Sequence, residues 1–123
     1  MCSCASQLAY VELSADNRML LAKIYQTTET HFFEEGFSLE QLAKYLGYDY
    51  GYISKYFLQK TGLRYSIYLN QRRIDHASKL MREGMSGNIS NLAFACGYSS
   101  VRSFNRNFSL LKGCTPREYM KKP

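Results

Sequence analysis

The sequence predicts an all-α fold of about seven helices, arranged as two short helix pairs joined by one long helix. Three observations carry that expectation. Apolar residues recur at steps of three and four along the long stretches, the spacing of one helical face. Period-two alternation is never sustained, and no Asn-Gly or Asp-Gly hairpin turn occurs. Residues 39–68, set against 89–119, keep a common register across two helices and their turn.

The elements follow in order. Residues 1–15 show no sustained period and read as a tail or interdomain linker. Asp16 is placed as an N-cap, and Leu21, Ile24, Tyr25, Thr28 and Phe32 line one face of the helix that Gly36 closes. Ser38, with Gln41 three residues on, opens the next helix in the manner of a capping box. Its apolar positions are Leu39, Leu42, Ala43 and Leu46, and Gly47 ends it. In the second copy Asn88 is the cap, Ile89, Leu92, Ala93 and Cys96 the apolar face, and Gly97 the stop. The offset is 50 up to Tyr48 and Tyr98, and 51 after one residue is gained near Ser99 and Ser100. Ile53 then pairs with Phe104, Lys55 with Arg106, Phe57 with Phe108, Gly62 with Gly113 and Tyr68 with Tyr119. A longer helix, Tyr65–Arg82, lies between the copies, with Ile67, Ile74, Ala77 and Met81 expected on its buried face. The chain therefore divides into 16–82 and 83–123, one helix pair in each.

Composition narrows the function. In 123 residues, one compact domain or two small ones sharing a core can form. Lys plus Arg is 16 against 10 Asp plus Glu. Residues 1–36 hold two basic and five acidic residues, a net of −3, whereas 37–123 hold fourteen and five, a net of +9. A basic body suits a polyanionic partner. No apolar run approaches the ~20 residues of a membrane span, and no secretory leader is recognisable. Cys2, Cys4, Cys96 and Cys114 form no disulfide framework, so a reducing cytoplasm is expected. No nucleophile–base–orienter set and no glycine-rich phosphate loop is present, so neither an enzyme nor a cofactor is expected. Cys2 and Cys4 with His31 leave a metal-dependent alternative, although two thiols at that spacing lack a downstream partner pair.

Two short helices joined by a glycine-containing turn make a helix-turn-helix. Ala43 and Ala93 let the second helix cross close, which leaves its far face free. That face carries Tyr50, Gly51, Ser54, Lys55 and Leu58 in the first unit, and Val101, Arg102, Asn105, Arg106 and Ser109 in the second. Arg pairs bidentately with guanine and Asn with adenine in the major groove. The long helix spans roughly 26 Å, so the two units can stand about 34 Å apart, one turn of B-DNA. Phosphate contacts are expected from Tyr50, Tyr52, Arg64, Tyr65, Ser66, Arg72, Arg73, Ser100 and Lys112, with the amides near Arg64 to Ser66 at a helix start. A helical module docking on RNA polymerase or a signalling partner is the alternative. The tyrosines Tyr45, Tyr48, Tyr50, Tyr52, Tyr56, Tyr65 and Tyr68 are expected mainly in core or rim packing.

The residues from about 37 to 120 resemble the DNA-binding module of the AraC/XylS family of bacterial transcription regulators. The stretches that carry the resemblance are SLEQLAKYLGYDYGYISKYFLQKTG from Ser38, YSIYLNQRRIDHASKLM from Tyr65, and ISNLAFACGYSSVRSFNRNFSLLKGCTPREYM from Ile89. Gly97-Tyr98-Ser99-Ser100, Phe104, Phe108, Gly113, Pro116 and Tyr119 sit at signature positions. The resemblance implies two homeodomain-like three-helical subdomains on double-stranded DNA. It implies base contacts at Gly51, Ser54 and Lys55, and at Val101, Arg102, Asn105 and Arg106. Gly51 departs from the pattern, standing where family members often place a large reader; Cys96 stands where Val or Ala is more usual, and Cys114 where Val or a similar residue is. Members of the family often carry an N-terminal sensor or dimerisation domain, so the resemblance leaves two readings, a free-standing regulator or the C-terminal piece of a longer chain, of which the lead 1–15 favours the second.

Overall fold

A computed structural model describes residues 19–84 and 88–121, and all secondary structure among them is helical. Helix α1 covers 19–31. It is followed by α2 (Leu39–Leu46), α3 (Tyr50–Thr61), α4 (Tyr65–Arg82), α5 (Ile89–Ala95), α6 (Val101–Lys112) and α7 (Pro116–Lys121). The expected cap at Asp16 and the tail 1–15 lie outside the described residues.

The repeat in the sequence is a repeat in structure. Helices α3 and α6 are both 12 residues long, and each ends at a left-handed glycine, Gly62 and Gly113. Both are capped by a side chain. The Asp49 carboxylate accepts from the Gly51 and Tyr52 amides at 2.9 and 3.3 Å, and Ser100 Oγ accepts from the Ser103 amide at 3.1 Å. Such caps satisfy donors that the first helical turn leaves unpaired. Asn88 caps α5 through the Ser90 amide at 2.8 Å. Ser38 departs from the expected capping box: it is extended and its side chain makes no cap bond, so α2 opens with its carbonyl alone taking the Leu42 amide.

Two apolar cores result. Ile24 of α1, Phe32, Phe37, Leu42, Ile53, Phe57 and the first half of α4, through Tyr65 and Leu69, make the first. Ile74 and Ala77 from the second half of α4, with Leu92, Ala93, Cys96, Tyr98, Phe104 and Phe108, make the other. Burying each phenylalanine contributes on the order of 1.5–3 kcal/mol. Helix α4 thus serves both cores in turn along one stripe through Tyr65, Leu69, Arg73 and Ala77, at steps of four. Ile67, expected on the buried face, is 44% exposed, because it stands about 200° of helical rotation from Tyr65. Tyr25 is also exposed, at the rim where its ring meets Phe57 and Tyr68 edge-on. Met81 is half-buried against the second core. Cys96 behaves as a small hydrophobe, and burial pushes its thiol up to about 12.

Candidate nucleic-acid interface

On α6 the buried residues are Phe104 and Phe108. Arg102, Asn105 and Arg106 are exposed on the far side, flanked by half-buried Val101 and Ser109. The helical period dictates this: Arg102 and Arg106 are four residues apart and each lies two from Phe104, so both stand opposite the core. On α3, Ile53 and Phe57 are buried by the same logic. Lys55 and Tyr50 are exposed, Ser54 and Gly51 are half-buried, and Leu58 is 44% exposed.

A concave surface accompanies each of these helices, built from the same positions of the repeat. In the first unit Ser38, Leu39, Ser54, Arg64, Tyr65 and Ser66 line it. In the second the lining includes Asn88, Ile89, Asn105, Thr115, Pro116 and Arg117. The pairs stand 50 apart before the extra residue and 51 after it. The start of the preceding helix, the free face of the recognition helix and the start of the following helix therefore converge twice. Arg117 is exposed, and it was absent from the sequence-derived set although the repeat pairs it with Ser66.

Several residues expected at phosphates are elsewhere. Tyr65 is 2% exposed. Its hydroxyl lies 2.6 Å from Thr28 Oγ1, and Thr28 gives its own proton to the Ile24 carbonyl at 2.7 Å, so Tyr65 is the donor. Burial pushes the phenol up to about 12. Only the backbone amide of Tyr65 remains at the start of α4. Arg73 is 9% exposed and its guanidinium is turned inward. It donates to the carbonyls of Phe32 at 2.7 Å, Phe37 at 2.9 Å and Glu34 at 3.3 Å. Burial pulls its pKa down, against the opposing influence of Tyr98, Tyr65 and Cys96. Both residues leave the phosphate set because they sit on the buried stripe of α4.

Arg72 binds both carboxylate oxygens of Glu29 on α1, which raises its pKa. Lys112 is half-buried and pairs with Asp75 at 3.2 Å. These two cations are engaged in ion pairs on the α4 side. Ser100 serves as the α6 cap, and Tyr52 is half-buried in a stacked series with Tyr48 and Tyr56 at 5.5 and 6.2 Å. Arg64 and Ser66 are exposed at the start of α4. His31 stacks on Tyr45 at 4.4 Å and meets Glu34 through Nδ1 at 2.8 Å. No group of three metal-ligating side chains occurs among the described residues, and Cys2 and Cys4 lie outside them.

Fold and grooves together define a helix-turn-helix domain present in two copies. The helix-turn-helix domain family matches residues 42–122, and the chain belongs to its AraC-type branch. An uncharacterized HTH-type transcriptional regulator of Staphylococcus aureus strain MSSA476 is 36% identical over 91 residues, covering 74% of this chain and 12% of that regulator. The chain thus corresponds to a small part of that protein's length. Among solved structures, the C-terminal domain of the two-component response regulator yesN from Fusobacterium nucleatum superposes with a TM-score of 0.75 at 26% identity, covering 80% of this chain and 94% of that one. A transcriptional regulator from Chromobacterium violaceum, of the AraC-type DNA-binding domain-containing proteins, superposes with a TM-score of 0.73 at 26% identity, covering 89% and 98%. No helix among the described residues is long and apolar enough to cross a membrane.

Proposed function

We propose that this chain binds double-stranded DNA sequence-specifically, as the DNA-binding module of an AraC-type bacterial transcription regulator, with α3 and α6 in adjacent major-groove segments. The observation that carries this reading is the doubled groove, each copy flanked by a helix whose free face holds exposed polar side chains. Arg102 and Arg106 suit guanine edges and Asn105 suits adenine, with Val101 against a thymine methyl. Ser54 and Lys55 read less from α3, and Gly51 brings backbone rather than side chain to the duplex. Tyr50, Arg64, Ser66 and Arg117 hold phosphates, which fixes register without specifying sequence, while the Ser100 cap and the Tyr52 stack position α6 and α3 for those contacts. The two reading units are 16–82 and 83–123, with 1–15 as tail or linker. Within a longer regulator, an N-terminal sensor or dimerisation domain and a contact with RNA polymerase belong to the same proposal, as does action in the bacterial cytoplasm.

Salt titration of duplex binding tests the reading. Each Lys or Arg that neutralises a phosphate contributes a slope of about −0.9 in log affinity against log salt, so Arg64 and Arg117 alone give a loss of roughly tenfold between 50 and 200 mM salt, and every further basic contact steepens it. Affinity for a protein partner with little salt dependence, and none for duplex, contradicts it and favours the interaction-module alternative.

A further inference from the structure

We propose that Arg73, seated between the two units against Gly97 and Tyr98, is the positioning residue that sets the spacing of the two half-sites one chain can read. The proposal rests on the duplex-binding reading above. Along α4, Leu69 belongs to the first core and Ile74 to the second. Arg73 sits at that change-over. The apolar clusters are separate, so their mutual angle depends on α4 itself and on the polar joint around this guanidinium.

The joint reaches both ways. Toward the first unit, Arg73 binds three carbonyls of the α1–α2 connection, those of Phe32, Glu34 and Phe37. Toward the second, its guanidinium carbon lies 5.6 Å from the centre of the Tyr98 ring. The Tyr98 hydroxyl returns to α4 and donates to Asn70 Oδ1 at 2.7 Å. Gly97 brings the turn of the second unit into contact with the backbone of the first. Its φ is +97°, and a Cβ there would come within 2.8 Å of the Phe32 carbonyl oxygen and 2.9 Å of Arg73 Nε.

The repeat supplies an internal control. Gly47, the counterpart of Gly97, has a φ of +78° and open space where its Cβ would point. Tyr48, the counterpart of Tyr98, is 37% exposed, whereas Tyr98 is 5% exposed. Gly47 is the left-handed cap of α2, whereas α5 is capped by Cys96 and the left-handed Gly97 follows it; only the second copy uses the Gly-Tyr pair to meet the other unit. A planar guanidinium can hold carbonyls along its edge while a ring covers its face. A lysine ammonium is a point charge and cannot hold that arrangement.

The test is a set of duplexes in which the spacer between the half-sites is changed by one base pair either way. Each added pair turns the second half-site by about 35°. The wild-type chain is expected to lose roughly tenfold or more at the altered spacings, comparable to a mismatched base pair. Arg73→Lys and Arg73→Ala should flatten that penalty to within about threefold while leaving base preference inside each half-site unchanged. Retained base preference also reports that the variants fold. Should Arg73→Ala fail to fold, Tyr98→Phe and Asn70→Ala remove only the hydroxyl clip and should flatten the penalty in part.

Residual dipolar couplings on the free chain give a reading independent of DNA. One alignment tensor should fit both units in the wild type, and Arg73→Lys should require two. Unchanged spacing preference with a uniform loss of affinity, or a single tensor in Arg73→Lys, overturns the proposal. A wild-type chain that selects no duplex overturns it together with the reading on which it rests. A wild type with a sharp bipartite preference that Arg73→Lys keeps overturns this proposal alone.

Discussion

Where α3 has Gly51, Ser54 and Lys55, α6 has Arg102, Asn105 and Arg106, at the same three positions of the repeat. On their inner sides the two helices share a pair of buried positions, Ile53 and Phe57 in one and Phe104 and Phe108 in the other, with Tyr56 added to the core in α3 where α6 has the half-buried Asn107. The difference teaches that the core side fixes the fold and leaves the outer face free to diverge. It also shows a local cause for the poorer face. A Cβ on Gly51 would stand 3.0 Å from Asp49 Oδ2, the oxygen that caps α3. The corresponding cap of α6 is the smaller, neutral Ser100, and Arg102 follows it without conflict. Asp49 also places a carboxylate beside the face that would approach phosphates, which like-charge repulsion disfavours.

Substitutions that break the shared part should have the largest effects. Phe57→Ala and Phe108→Ala are each expected to cost roughly 3–5 kcal/mol of stability, read by denaturant unfolding, since both rings are fully buried. Next come the outer faces. Arg106→Ala should lose about 1–3 kcal/mol of binding and relax preference at a single base pair. Lys55→Ala should lose less, and more evenly across sequences. A gel-shift titration over single-base substitutions separates the two patterns. The paired exchange Asp49→Ser with Gly51→Arg transplants the α6 arrangement onto α3. In the same assay it should add a base preference to the weaker half-site.

Smaller effects concern side chains that are structural. Tyr65→Phe removes a buried hydroxyl that donates to Thr28. It should cost about 1 kcal/mol of stability with duplex affinity unchanged; a loss of affinity uniform across sequences would return Tyr65 to the phosphate contacts. His76 is held below its usual value of 6.5, first by burial and then by Lys79 and Arg72. With the folded pKa below the unfolded one, its contribution is full above pH 6.5 and is lost as pH falls through the lower folded value. Unfolding of His76→Gln should therefore be less sensitive than wild type to acidification below pH 6.5.

Much of this architecture was legible because the repeat fixes register. It gave the two helix pairs, their glycine stops and the opposed faces of α3 and α6. Most departures from the sequence expectation lie on α4, where position on the helix outranks residue type. Tyr65, Leu69, Arg73 and Ala77 follow one another at steps of four, so Arg73 lay on the buried stripe all along. Its charge suggested phosphate, yet three main-chain carbonyls accept it inside. Ile67 erred the other way, an apolar residue off the stripe and exposed. The pairing of Arg72 with Glu29 joins residues 43 apart, and no local pattern announces it.

Random-site selection on duplex DNA with the wild-type chain addresses the doubled reading most directly. Two half-motifs centred about 10 base pairs apart are expected, one sharply defined and lost at single positions in Arg102→Ala or Arg106→Ala, the other weakly defined. Enrichment of one uninterrupted motif no longer than a single half-site, or no enrichment at all, would contradict a chain that engages two neighbouring grooves.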